Sequence, residues 1–160
     1  MTDTHYIGID PGARGGIAVV DSEGRVIDIV KMPETPKDIL DYLQSLMGAD
    51  ITLQCVLEDV GHGLPGQSSS ATAKFARHNG HLDMALLALS IPTTTATPQK
   101  WMKTYQLGKS SNHSNVEWKN MLKSKAQQLF PNEKLTLATC DALLIAEYCR
   151  RINNTSRLKV

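Results

Sequence analysis

No stretch of this chain is both long and apolar enough to cross a bilayer. The longest apolar runs, near Leu86 and Leu143, fall short of the roughly 20 residues a spanning helix needs. The start of the chain, Met1 to His5, is polar and lacks the basic-then-apolar pattern of a secretory signal. A cytoplasmic protein without a membrane partner is the expectation. Cysteine is scarce: Cys55, Cys140 and Cys149 match no zinc-ligand spacing, and their odd number argues against a disulfide framework. Buried reduced thiols are expected. Internal repeats, low-complexity tracts and long linkers are absent, so one domain over residues 1–160 is expected. Net charge is only +1, which excludes a partner announced by bulk electrostatics. The distribution says more, because most acidic residues lie in the first 60 positions while Lys and Arg outnumber Asp and Glu from Lys74 onward.

What is present is enough apolar material for a real core, 41% of residues against 21% charged. Tyr6 to Asp10 reads as a short apolar strand, followed by a glycine-rich turn, Pro11 to Gly16. Ile17 to Val20 is a second strand, and Asp21-Ser22-Glu23-Gly24 closes a hairpin into a third, Arg25 to Lys31. Pro36 opens a helix whose apolar face is Ile39, Leu40, Leu43, Leu46 and Met47, ended by Gly48. Leu53 to Val60 reads as a strand, Gly61 to Ser70 as a loop, and Phe75, Leu82, Ala85, Leu86 and Leu89 as one face of a long helix. Ile91 to Ala96 is a strand, Pro98 to Lys103 a short helix, and Leu107 to Asn115 a polar, mobile stretch. Trp118, Leu122, Leu129 and Phe130 mark a helix stopped by Pro131, and a last helix runs from Thr139 to about Arg151. A meander of three antiparallel strands followed by β-α-β crossovers implies an α/β, ribonuclease-H-like fold. It has a five-stranded mixed sheet, the meander plus two parallel strands, flanked by helices.

In such sheets functional residues gather at the carboxyl ends of neighbouring strands. Asp10 ends the first strand and Glu58 lies near the end of the fourth, so adjacency would bring both carboxylates to one edge. Asp141 starts the last helix, where the helix dipole stabilises an anion. Each residue alone has a plain explanation: Asp-Pro-Gly is a common turn, and Asp often begins a helix. Together, three carboxylates converging at one edge repel one another unless a cation joins them. Hard oxygen donors of this kind suit Mg²⁺ or Mn²⁺. Asp59 should point the opposite way from Glu58, because side chains alternate along a strand.

These residues resemble RuvC-type Holliday junction resolvases, particularly the phage and prophage branch. Three blocks carry the resemblance: Ile7 to Gly16; Leu57-Glu58-Asp59-Val60 with Leu64-Pro65-Gly66-Gln67, Phe75 and Gly80; and Ala126 to Pro131 with Cys140 to Ala146. The resemblance implies a prokaryotic or phage-encoded, Mg²⁺-dependent crossover junction endodeoxyribonuclease serving DNA recombination and repair. Such an enzyme cleaves four-way DNA junctions as a homodimer and leaves 5′-phosphates. It implies Asp10, Glu58 and Asp141 as catalytic metal ligands, with Mn²⁺ as a substitute and two ions per subunit about 4 Å apart, bridged by Asp10. The family's fourth ligand, an Asp or His shortly before the last Asp, has no counterpart, since the chain reads Thr136-Leu137-Ala138-Thr139-Cys140 there. Water or a residue such as His113 would have to complete the second ion site.

DNA contacts are expected from the loop after Glu58, where His62, Leu64, Gln67 and Ser68 resemble a junction-probing segment. Leu64 is suited to wedge between bases and Gln67 to read base edges. Lys109, Lys119 and Lys123 are expected on phosphates; Lys119 matches a family lysine, and Lys123 stands one helical turn further on. A mobile surface loop and a solvated helix face are the plain alternatives. Trp101 and Trp118 read as packing residues. The helix around residues 70–89, which carries Lys74, Arg77 and His78, resembles the family's dimer face. Three other functions compete. A sugar-kinase-like ATPase needs two such domains. A RuvC-fold RNA-processing nuclease would lack the Pro-Gly-Gln loop. A junction-binding protein without cleavage activity is motivated by the missing fourth ligand.

Overall fold

The computed structural model describes residues 2–61 and 66–157. Among these residues, five strands form one sheet: β1 (Asp3–Asp10), β2 (Gly16–Val20), β3 (Val26–Lys31), β4 (Ile51–Glu58) and β5 (Thr93–Ala96). Their order is β3-β2-β1-β4-β5. β1, β2 and β3 are antiparallel neighbours, while β1 pairs with β4 and β4 with β5 in parallel. This is the mixed sheet expected from the strand order. Among the described residues, five α-helices accompany it: α1 (Pro36–Ser45), α2 (Ser69–Ala88), α3 (Pro98–Met102), α4 (Asn115–Leu129) and α5 (Cys140–Arg157). None of the helices among the described residues is long and apolar enough to cross a membrane.

Alternation along the strands divides the core in two. Tyr6, Ala18, Val20 and Val56 face one side and pack with Trp101, Leu122, Ala126 and the buried run Ala142 to Cys149. Ile7, Ile9, Ile17, Cys55 and Leu57 face the other side and pack with Ile39, Leu43, Leu82, Ala85 and Leu86 of α1 and α2. All three cysteines are buried and unpaired. α5 lies directly on the centre of the sheet because β1 carries glycine at position 8. A Cβ there would stand 2.1 Å from the Ala146 nitrogen and 2.3 Å from the Ala142 oxygen. Ala142 and Ala146, one turn apart, supply the matching flat face.

Local chemistry sets the element ends. Asp21 closes the β2–β3 hairpin by accepting the Glu23 and Arg25 amides at 2.9 and 2.8 Å. Thr35 caps α1 by accepting the Asp38 amide, with Pro36 in the first turn. Ser114 and Glu117 form a reciprocal capping box on α4. Several boundaries differ from the sequence reading. α1 ends at Ser45, and Met47 is 49% exposed, because Leu43 to Gly48 already turn the chain toward β4. β4 starts at Ile51 and stops at Glu58, β5 starts at Thr93, and α5 continues to Arg157. The polar stretch before α4 contains a short 3₁₀ turn, Ser110–Asn112.

The seat of α5 on β1 yields a stability prediction. Gly8→Ala drives a methyl group into helix backbone that cannot rotate away. It should cost about 3 kcal/mol or more, the upper end of overpacking costs. Urea denaturation measures this, and a loss below about 1 kcal/mol would contradict the packing.

Candidate active site at the carboxyl edge of the sheet

β1 and β4 run in parallel with Ile9 opposite Leu57, so Asp10 and Glu58 leave the sheet side by side at the next position. Both lie on the α5 side, in phase with Tyr6 and Val56. Asp141 stands in the first turn of α5, immediately before the Ala142 that rests against Gly8. Asp59 falls on the opposite phase as expected: it is exposed, and its carboxylate accepts the Gly61 amide at 3.0 Å.

The turn after Asp10 is forced by its glycines. A Cβ on Gly15 would lie 1.9 Å from the Asp10 carbonyl oxygen. Gly12 has φ +103°, and the Phe75 ring of α2 sits 3.4 Å from where its Cβ would be. Asp10, Arg14, Lys119, Leu137, Cys140 and Asp141 line a cleft of about 420 Å³ over this turn. Glu58 opens onto a second hollow of about 370 Å³, lined also by Asp59, Phe75, Asn79 and Asp83. Phe75 therefore borders the Glu58 hollow and touches the Asp10 turn.

The electrostatics of the three carboxylates are coupled. Burial pushes Asp10 up to about 8, the charges of Glu58 and Asp141 push the same way, and Lys119 opposes them. Burial raises Glu58 to about 7, against a hydrogen bond from Trp101, with Asp141 adding to the rise. Asp141 is raised by burial, against the neighbouring Cys140 thiol and Lys119. Among the described residues, no three His, Cys, Asp or Glu side chains are gathered closely enough to form a ready-made ion cage. The three groups sense one another's charge without meeting at a point. The donor set still fits a hard divalent cation, because an added positive charge relieves both the desolvation and the mutual repulsion.

The expected DNA-contacting residues are dispersed. His62 and Leu64 lie outside the described residues. Gln67 and Ser68 are exposed at the start of α2, where the Ser68 hydroxyl is committed to capping the Ala71 amide at 3.2 Å. Lys109 is exposed ahead of the 3₁₀ turn. Lys119 points into the Asp10 cleft, and Lys123 sits one turn further along α4, partly buried. His113 is exposed, stacks on Trp118 at 6.0 Å, and is not among the residues lining the cleft. Thr139 and Thr136 hydrogen-bond each other ahead of Asp141, so no carboxylate or imidazole replaces the missing fourth group there.

Sequence reasoning missed three neighbours of the carboxylates. Trp101 is fully buried and donates its indole N–H to Glu58 Oε2 at 2.5 Å. A buried indole needs an acceptor, and that need is the only sequence-level signal. Cys140 lies beside Asp141, its Sγ 3.6 Å from Asp141 Oδ1. Arg14 enters the cleft from the turn.

The raised carboxylates define a pH dependence of stability. The folded protein holds a proton on Asp10 up to about pH 8, whereas an unfolded Asp releases it near 3.8. The folded state binds more protons between those limits, so stability falls as pH rises through the window. In EDTA, Asp10→Asn should melt at a higher temperature than wild type at pH 8, with the gap closing toward pH 4. Equal melting at pH 8 would contradict the burial of the Asp10 charge and its repulsion by Glu58 and Asp141.

Comparison with known proteins gives no matching family model and no matching curated protein. Solved structures do match. The Thermus thermophilus RuvC structure superposes with a TM-score of 0.61 at 18% identity, covering 93% of this chain and 96% of that one. The structure of T. thermophilus RuvC in complex with Holliday junction substrate gives 0.62 at 17% identity, covering 95% and 96%. At such identities the likeness is one of fold, and the fold of this chain is that of RuvC, within the ribonuclease-H-like class.

Proposed function

We propose that this chain is a divalent-metal-dependent endonuclease that cuts four-way DNA junctions and leaves 5′-phosphates, one nuclease domain spanning residues 1–160. The observation that carries the reading is the placement of Asp10, Glu58 and Asp141 along one edge of a RuvC-like sheet, close enough to sense one another's charge and each held above its ordinary carboxylate range. The junction as substrate is supported by the fold shared with a protein solved on a Holliday junction. A prokaryotic or phage source belongs to the same reading.

Asp10, Glu58 and Asp141 would hold Mg²⁺ or Mn²⁺, two ions per subunit. Such ions, when bound, supply an activated water and charge stabilisation for the leaving oxygen. The water oxygen bonds to phosphorus, the bond from phosphorus to the 3′ oxygen breaks, and that oxygen departs protonated. Lys119, facing Asp10 and Asp141 across the cleft, would neutralise a non-bridging phosphate oxygen. Lys123, Lys109, Gln67 and Ser68 would extend the contact along the DNA, together with His62 and Leu64. The absence of a fourth ligand near Thr136 and Thr139 favours one alternative, a junction-binding protein that does not cut.

A homodimer through α2 is part of this proposal. Met84 and Leu87 are 62% and 72% exposed on the face opposite Leu82, Ala85 and Leu86. Gly80 has nothing within 4 Å of its Cβ position. A second copy laid along this stripe would cover it.

Two experiments follow. With Mg²⁺, wild type should nick a synthetic four-way junction, and Asp10→Asn should lose more than about a hundredfold in rate, beyond the usual cost of an outer-sphere substitution. Binding without nicking in Mg²⁺ or Mn²⁺ overturns the nuclease reading in favour of the binding protein. Equal cleavage of linear duplex removes the junction specificity, and preferential cleavage of RNA moves the chain to RNA processing. Separately, Met84→Lys with Leu87→Asp should convert a dimer to a monomer in sedimentation velocity. An unchanged sedimentation coefficient would place the interface elsewhere or remove it.

A further inference from the structure

We propose that Trp101 is a positioning residue for Glu58. Its indole N–H holds one carboxylate oxygen and leaves the other to meet a divalent cation, so that Glu58 binds through a single oxygen. This rests on the reading of Glu58 as a metal ligand.

The hydrogen bond is 2.5 Å long and lies between two buried side chains. The backbone brings them together. Glu58 pairs with Ala96 at the end of β5, and Thr97 immediately caps α3 with Pro98 in its first turn. Trp101 follows one turn into that helix, above the end of β4. An indole is a donor only and carries no charge. It therefore orients a carboxylate without replacing the cation, which a lysine at the same place would tend to do.

The donor is also held in place. The Tyr105 ring meets Trp101 edge-on at 6.3 Å and 74°. The Tyr105 hydroxyl in turn donates to the Leu144 carbonyl of α5, and the Arg151 guanidinium lies 5.3 Å from the Tyr105 ring centre. α5 is the helix that carries Asp141. The chain from Glu58 through Trp101 and Tyr105 to Leu144 thus fixes one carboxylate relative to the helix bearing another. A Trp–Tyr pair whose only work was to fill the core would not require the indole nitrogen to end on a site carboxylate.

Mn²⁺ binding to the purified full chain, read by electron paramagnetic resonance, tests this in a double-mutant cycle. Trp101→Phe removes the donor and keeps an aromatic ring. It should weaken Mn²⁺ binding about tenfold or more in the wild-type background, the range for residues that orient metal ligands. In the Glu58→Gln background it should weaken binding less than about twofold, because the group it acts through is gone. An equal loss in both backgrounds marks a merely structural residue and overturns the proposal, as does no loss in either. If Glu58→Gln binds Mn²⁺ as tightly as wild type, the metal role of Glu58 fails and the proposal falls with it. If Trp101→Phe does not fold, indole ¹⁵N–¹H spectra decide, with Trp118→Phe used for assignment. The Trp101 resonance should move upfield in Glu58→Gln and respond to Mg²⁺ only when Glu58 is present. An identical resonance in both proteins, unmoved by Mg²⁺, overturns the proposal.

Discussion

The site depends on how closely α5 sits on β1. Gly8 lacks the one atom that would collide with the helix backbone, and Ala142 and Ala146 present the flat face that meets it. Because Asp141 immediately precedes Ala142, that seat also determines how near the third carboxylate comes to Asp10. A glycine in the middle of a strand costs conformational entropy and packing. Here it permits the main helix of the protein to lie against backbone rather than side chains, and it carries the position of Asp141 with it.

That closeness is held against electrostatic resistance. Asp10, Glu58 and Asp141 are each desolvated, and Asp10 senses both of the others. The surrounding residues moderate the repulsion in different ways. Lys119 supplies charge across the cleft, while Trp101 supplies a neutral donor to Glu58. The tight turn Pro11 to Gly16 packs Gly15 directly against the Asp10 carbonyl. An arrangement that stores repulsion at a solvent-accessible edge is suited to a cation, which turns the same geometry from cost into binding free energy.

Much of this was legible in the sequence. The sheet order followed from hairpin signals, period-2 apolar alternation and the two crossovers, all local features. Asp10 and Glu58 were readable because each ends a strand, and Asp59 was separated from Glu58 by alternation alone. What was not legible depended on contacts between distant segments. Trp101 looked like packing because nothing near it in sequence names its acceptor 43 positions away. Lys119 reads in sequence as a phosphate contact, and its approach to Asp10 and Asp141 depends on the packing of α4 against α5, which no local pattern encodes. The Ser68 hydroxyl caps α2, a role that a serine-rich stretch does not assign to any one serine. The end of α1 at Ser45 is hidden in the sequence because Met47 continues the apolar period although the chain has already turned.

Asp10, Glu58 and Asp141 are proposed to form one cation-binding centre. Anomalous diffraction from crystals grown or soaked in Mn²⁺ tests it most directly. Manganese density bounded by Asp10, Glu58 and Asp141, and lost in Asp10→Asn, is the expected result. Manganese bound elsewhere on the protein while this edge stays empty would contradict it.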